Sequence, residues 1–309
     1  GLKRYSSHIT AIVTVADDGG SSGVLRRELG VLPPGDIRNC LAALSTEEPL
    51  LTRLFQYRFS TGGGLEGHSF GNLFLSALSA ITGNLETAIT ASSRVLAVQG
   101  QVVPATNVDV QLWAELENGQ RIEGESNIGH APSPIVRLGC SPERPPALPR
   151  ALEAIANADL IVLGPGSLYT SLLPNLLVPE LVGAIKRSKA PRLYICNLMT
   201  QPGETDGLDV RGHIRAIEAQ LATLGIEPRL FNAVLAQDDL PDSDLVRYYQ
   251  SRGADPVRCD AEGLRSDGYD VTQAPLQGVR PTATLRHDSR SLALAVMRFY
   301  RTHRRERDQ

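Results

Sequence analysis

The stretch HITAIVTVADDGGSSGVLRREL, residues 8–29, decides the fold. Its first nine residues form a short β-branched run, the composition of a buried strand. After Gly20 the period changes: Leu25 and Leu29 repeat at helical spacing, and Ser21 or Ser22 is available as a cap. Asp17 and Asp18 therefore fall where a strand ends, just ahead of a helix N-terminus. In open α/β sheets ligands bind at that edge.

The same alternation extends outward along the chain. PPGDIRNCLAALS (33–45) reads as a helix with Asp36 in capping position and Ile37, Cys40, Leu41 and Leu44 on one face. SFGNLFLSALSAITGN (69–84) and NLETAITASSRVLAV (84–98) read as two more, separated by Gly83. Between residues 101 and 139 the pattern turns antiparallel: VDVQLWAEL alternates, Asn118-Gly119 makes a hairpin turn, and RIEGES returns. SPERPPALP (141–149) is a proline-rich connector, which need not be a domain boundary.

From there strands and helices alternate again. ADLIVLGPGS (158–167) reads as a buried strand running into a glycine loop. PRLYICNL (191–198) and LFNAVLAQ (230–237) read as strands, with helices between them and SRSLALAVMRFYRTH (289–303) closing the chain. This predicts one domain over residues 1–309: α/β, doubly wound, with a mostly parallel sheet and a small antiparallel β-hairpin excursion at about 101–139.

Bulk properties narrow the function. The 309 residues are 42% hydrophobic and 21% charged, an ordinary globular balance. A net charge of −3 gives no basic face for nucleic acid. The one dense basic cluster, Arg298, Arg301, Arg304, Arg305 and Arg307, reads as the solvated C-terminal end of the last helix. Cys40, Cys140, Cys196 and Cys259 lie far apart with no CxxC pair, which suits neither zinc nor a disulfide framework and fits a reducing cytoplasm. No apolar run approaches the roughly 20 residues of a spanning helix. Residue 1 is Gly, so the natural start is expected to lie upstream.

Five polar constellations stand out along the chain. In Asp17-Asp18-Gly19-Gly20-Ser21-Ser22-Gly23 a carboxylate can hold a divalent cation, accept from a ribose hydroxyl or orient a substrate hydroxyl; the same residues also make a turn and a cap. Asp36, Arg38 and Asn39 open the next helix beside it. GGGLEGHSFGN (62–72) carries five glycines and ends on His68, Ser69 and Asn72, either a loop ordered by an anion or a surface loop. GPGSLYTSLLPN (164–175) is a credible phosphate loop, with Gly164, Gly166, Ser167 and Thr170, but it is neither a Walker A motif nor GxGxxG. CNLMTQPGETDG (196–207) crowds Asn197, Thr200, Gln201, Glu204, Thr205 and Asp206 into one loop. No GxSxG, no HExxH and no histidine placed as a base accompanies them. The residues by themselves point to a nucleotide-type or phosphorylated ligand, with or without a metal.

Four motifs carry a resemblance: HITAIVTVADDGGSSGVLRRELGVLPPGDIRNCLAAL, GHSFGNLFLSAL, ADLIVLGPGSLYTSLLPNLLV and YICNLMTQPGETDG. In this order they resemble the gluconeogenesis factor family, the bacterial YvcK-type proteins, whose superfamily contains the 2-phospho-L-lactate transferases. The resemblance implies a Rossmann-like cytoplasmic protein that binds UDP-sugars, notably UDP-N-acetylglucosamine. It also implies a role in growth on gluconeogenic carbon and in normal cell shape, with no established reaction. Protein partners in cell-wall synthesis and self-association are compatible with it. It further implies a preceding strand and GGGTG-type loop, with residue 1 falling inside the helix that follows them. By motif, the ligand-binding residues carried over are Asp17, Asp18, Gly20, Asp36, Arg38, Asn39, His68, Ser69, Asn72, Gly164, Gly166, Ser167, Tyr169, Thr170, Asn197, Met199 and Thr200.

Three functions compete on these grounds. The first is a regulatory nucleotide-sugar binder with no catalytic residues and no obligatory cofactor. The second is a transferase moving a phosphoester onto a hydroxyl, in which Asp17 and Asp18 hold Mg²⁺ as the transferase relatives' aspartates do. A dehydrogenase using NAD, suggested by fold class alone, stands third because no acidic residue follows a GxGxxG.

Overall fold

The computed structural model describes residues 1–46, 49–279 and 285–307. β1 (Thr10–Val13) leads through Asp17 and Asp18 into α1 (Gly20–Leu29) and α2 (Gly35–Leu44). Three more helices follow, α3 (Pro49–Gln56), α4 (Phe70–Thr82) and α5 (Leu85–Val95), before β2 (Gln101–Pro104) pairs in parallel with β1. Ile37 and Leu41 of α2, Leu75 of α4 and Ile89 of α5 bury their side chains with Val13 and Val102, so the helices cover one face of this two-stranded unit.

The antiparallel excursion is larger than a hairpin. β3 (Gln111–Leu116) pairs with β4 (Arg121–Glu123) and with β5 (Ile135–Ser141), and the short α6 (Glu125–Ile128) lies between β4 and β5. β2 stands outside it, because its partner is β1. The excursion is tied to the main body by Gln220, whose amide accepts from Leu138 N–H and donates to Leu138 O, both at 2.8 Å. A side-chain amide here takes the place of a strand neighbour.

After α7 (Pro149–Ala156) comes β6 (Ile161–Leu163), then a π-helical turn at Leu168–Leu172, α8 (Leu173–Leu176) and α9 (Pro179–Arg187). β7 (Arg192–Ile195), α10 (Val210–Thr223), β8 (Ala233–Gln237), α11 (Ser243–Gln250), α12 (Ala261–Ser266) and β9 (Asp270–Ala274) complete a parallel sheet ordered β6-β7-β8-β9. A small antiparallel pair, β10 (Gln277–Val279) with β11 (Leu285–His287), precedes α13 (Ser289–Arg307). Side-chain alternation along β7 shows the double winding. Leu193 and Ile195 pack toward Val296 and Phe299 of α13, while Tyr194 packs toward Ile214 and Ile217 of α10.

The parallel sheet is therefore split into two units, β1-β2 and β6-β9. A cavity of about 1610 Å³ separates the free edge of β1 from that of β6. This corrects the expectation that residues 8–16 and 158–163 form fully buried strands. Thr10 to Ile12 and Ile161 to Leu163 are only half-buried, whereas Leu193 to Ile195 and Ala233 to Ala236 are buried. Arg298, Arg301 and Arg304 on α13 are exposed, in agreement with a solvated helix end; the side chains of Arg305 and Arg307 lie outside the described residues. Among the described residues no single helix is long and apolar enough to cross a membrane.

Candidate functional site

The carboxyl ends of β1, β6 and β7 meet around α6. Asp18 accepts from the backbone N–H groups of Glu125 and Ser126, each at 2.9 Å, and from Ser126 Oγ at 2.7 Å. Gly124 at the start of α6 has no side chain to cap it, so a carboxylate 107 residues away does so. On the other side Gly129 faces Glu204: a methyl group added to it would lie 3.8 Å from Glu204 Oε1. The excursion thereby wedges its helix between the two sheet units.

Asp17 sits on the glycine turns. Gly19 N–H donates to Asp17 Oδ1 at 2.9 Å. A Cβ on Gly35 would stand 2.1 Å from Asp17 Oδ2, so the first turn of α2 approaches the carboxylate only as glycine. The caps differ from the sequence expectation. Gly19 is the N-cap of α1, and Ser21 and Ser22 lie inside the helix, buried. Ser21 Oγ is 3.0 Å from His68 Nδ1, and Ser22 Oγ accepts from Asn72 Nδ2 at 3.3 Å. Pro34, not Asp36, is the N-cap of α2, which leaves Asp36 in the first turn with its carboxyl free to face the cleft. Ser69 caps α4 by accepting from Asn72 N–H at 3.1 Å, and Asn72 Oδ1 is buried without a partner. Three helix N-termini, those of α1, α2 and α4, so converge with their amide ends on this edge.

The electrostatics are those of crowded carboxylates. Burial first, and Asp17 second, push Asp36 up to about 6, with Arg38 opposing. Glu125 is raised to about 8 by burial, then by Asp17, Asp18, Asp36 and Glu204. Glu204 is also raised by burial, against the hydrogen bonds it accepts from Tyr169 and Thr170. Arg38 is the nearby cation; burial and then Arg58 lower its pKa, its Nη2 donates to Asn39 Oδ1 at 2.8 Å, and its Nε has no partner.

The second glycine loop lies across the cavity from α2; Asp36, Asn39, Gly164 and Gly166 line the same space. Gly164 has φ +89°, and a Cβ there would meet Ile195 O at 2.6 Å. Asn197 clamps the loop, accepting from Gly166 N–H at 3.2 Å and donating to Gly166 O at 2.8 Å. Ser167 Oγ donates to Gln201 Oε1 at 2.8 Å.

The carried-over residues thus divide. Asp17, Gly20, Asp36, Arg38, Asn39, His68, Ser69 and Asn72 gather on the β1 side, and Gly164, Gly166, Ser167 and Asn197 on the β6 side. Asp18 lies on the β1 side, with both oxygens engaged by α6. Tyr169 and Thr170 are buried: Tyr169 Oη donates to Ile135 O at 3.2 Å, and Thr170 Oγ1 donates to Glu204 Oε1 at 3.0 Å. Met199 bridges to Pro256, and Thr200 exchanges hydrogen bonds with Asp255. Met199 and Thr200 thereby hold loop 196–207 against residues 255–256. Glu125 was not singled out from sequence, because it belongs to the return arm of the excursion and no local motif marks it.

Comparison with known proteins identifies the family. Residues 1–277 match the family described as 2-phospho-L-lactate transferase CofD. A putative gluconeogenesis factor of Nostoc sp. strain PCC 7120 is 57% identical over 300 residues, 97% of this chain and 65% of that protein. The chain thus spans about two thirds of that relative's length. The gluconeogenesis factor of Bacillus subtilis strain 168 is 46% identical over 293 residues, covering 95% of this chain and 90% of that protein. An X-ray crystal structure of a Bacillus halodurans protein superposes with a TM-score of 0.90 at 45% identity, over 96% of this chain and 94% of the other. With the family model matching residues 1–277 and these relatives 46% and 57% identical, this chain belongs to the gluconeogenesis factor family of the CofD-like superfamily.

Proposed function

We propose that the protein binds a nucleotide-sugar of the UDP-N-acetylglucosamine type at the carboxyl edge of the sheet. In this reading it is a cytoplasmic regulatory protein that links gluconeogenic carbon metabolism with cell-wall synthesis and cell shape. The observation that supports it is the convergence of the N-termini of α1, α2 and α4 opposite the clamped loop at Gly164 and Gly166. Backbone amides aimed at one space suit a diphosphate, and glycine turns let it approach. Arg38 and Asn39 add side-chain donors beside them.

The test is thermal denaturation with UDP-N-acetylglucosamine, UDP-glucose or UDP, each with and without Mg²⁺. A ligand at a hundred times its dissociation constant stabilises by about 2.7 kcal/mol. A UDP-sugar shift exceeding that of UDP supports the reading; a folded protein that no UDP-sugar stabilises refutes it.

A second reading, an Mg²⁺-dependent transferase of a phosphoester, draws support from Asp17, Asp36 and Glu125, whose mutual repulsion a divalent cation would relieve. Among the described residues no three such side chains are disposed as a metal-binding group, which places this reading second. A nucleotide shift that requires Mg²⁺ would reverse the order.

A further inference from the structure

α3 is apolar on two opposite faces. Leu51 and Phe55 pack into the core beneath it, and the Phe55 ring meets Phe74 of α4 edge to face at 5.8 Å. Leu50, Leu54 and Tyr57 recur at i, i+4 and i+7 and share the other face, the turn being continued by Tyr57 N–H bonding to Leu54 O at 3.0 Å. On that face they are 68%, 42% and 48% exposed. Core burial accounts for the first face and not for the second. Single exposed leucines are ordinary; a helical stripe of them marks a contact surface.

The stripe continues into the loop that follows. Tyr57 meets Phe59 edge to face at 5.2 Å, and Leu65 in the same loop is 45% exposed. Phe59 N–H bonds to His68 O at 2.9 Å and Phe70 N–H to Tyr57 O at 2.8 Å, which fixes the loop against the start of α4. Four of the chain's six phenylalanines fall within residues 55–74, an aromatic enrichment of the kind found in interface cores. Size and charge then select the occupant. At these exposures Leu50, Leu54, Tyr57 and Leu65 offer roughly 400 Å² of apolar surface, close to the roughly 450 Å² that one side of a standard interface contributes. Arg53 lies between Leu50 and Leu54 on the stripe and Glu66 follows Leu65; both are exposed, and among the described residues neither forms an ion pair. A surface carrying both signs complements a rotated copy of itself, whereas an anionic membrane or a strongly charged partner matches one sign only.

We propose that the outer face of α3 and the loop after it form a two-fold interface between two copies of this chain. α3 crosses its mate antiparallel, with the axis passing between Arg53 and Leu54. Leu50 then packs on the partner's Tyr57, and Leu54 on the aliphatic stem of the partner's Arg53, whose guanidinium stays at the rim. The interface borders the ligand edge without occupying it, since the loop it holds ends at Ser69, the cap of α4. No ligand enters the contact, so the proposal stands apart from the nucleotide-sugar reading.

Sedimentation velocity of the chain at micromolar concentrations and below is expected to show a monomer–dimer equilibrium. Leu54→Glu sets two carboxylates beside the axis and should weaken the dimer at least tenfold, with circular dichroism and the melting curve confirming the fold. Leu50→Glu gives the same test, with a smaller loss, should the first variant fail to fold. Ile81→Glu, at a side chain 78% exposed on α4 and off the stripe, should leave the equilibrium unchanged. A monomer at every concentration overturns the proposal. So does a dimer that folded Leu54→Glu or Leu50→Glu retains undiminished, or one that Ile81→Glu weakens equally. Binding of the native chain to phosphatidylglycerol vesicles in place of self-association, abolished by Leu54→Glu, would assign the stripe to a membrane and overturn it as well.

Discussion

Glu125 is held protonated by its surroundings, and this has a measurable consequence. In the unfolded chain its carboxyl titrates near 4.5; in the folded chain burial and four neighbouring carboxylates raise it to about 8. Between those values the folded protein holds a proton that the unfolded chain releases. Its stabilising contribution is therefore complete below pH about 4.5 and is lost as pH rises through about 8. At face value the displacement corresponds to about 5 kcal/mol, but Glu125 is only half-buried and solvent screening reduces this to about 2 kcal/mol. Glu125→Gln keeps the shape of the neutral acid without the ionisation. It should exceed the native protein only slightly in urea denaturation at pH 4 and by about 2 kcal/mol at pH 9. At about 2–4 °C per kcal/mol, that is a rise of several degrees in Tm at pH 9. If the variant gains nothing at pH 9, or is less stable there, the carboxylate crowding described above is wrong.

Further outcomes follow from other contacts at the same edge. Asp18→Ala removes the acceptor of three hydrogen bonds from α6 and should cost about 1–3 kcal/mol in denaturant titrations, with Asp18→Asn intermediate. Unchanged stability would release Asp18 from its capping role. Gly164→Ala forces a side chain to φ +89° and against Ile195 O, so it should lower stability by at least about 1–3 kcal/mol and weaken any UDP-sugar-induced rise in Tm. An unaltered melting curve would show that the loop does not need glycine there.

Much of the fold was legible because it is local. The β-branched run before Asp17 and the 3.6-residue repeats of α2, α4 and α5 each report an element through its own side-chain period. So does the glycine that follows the strand ending at Leu163. The glycine turns were legible as turns for the same reason: left-handed or closely approached backbone positions admit little else. The caps of α1 and α2 were misread, since Ser21, Ser22 and Asp36 have capping chemistry but tertiary partners claim Ser21 and Ser22, and Pro34 takes the cap position of α2.

The sequence by itself therefore determined the α/β alternation, the family and the loops that meet at the sheet edge, because these are written in short-range spacing. Only the tertiary structure decided which polar groups are spent on architecture. Asp18 caps a helix 107 residues away, Thr200 ties down a loop, and Tyr169 is buried. Tertiary folding alone also brought Glu125 into the carboxylate cluster and set the free edges of β1 and β6 across a common cavity. Burial, electrostatic coupling and strand pairing act between residues distant along the chain, where no spacing rule reaches.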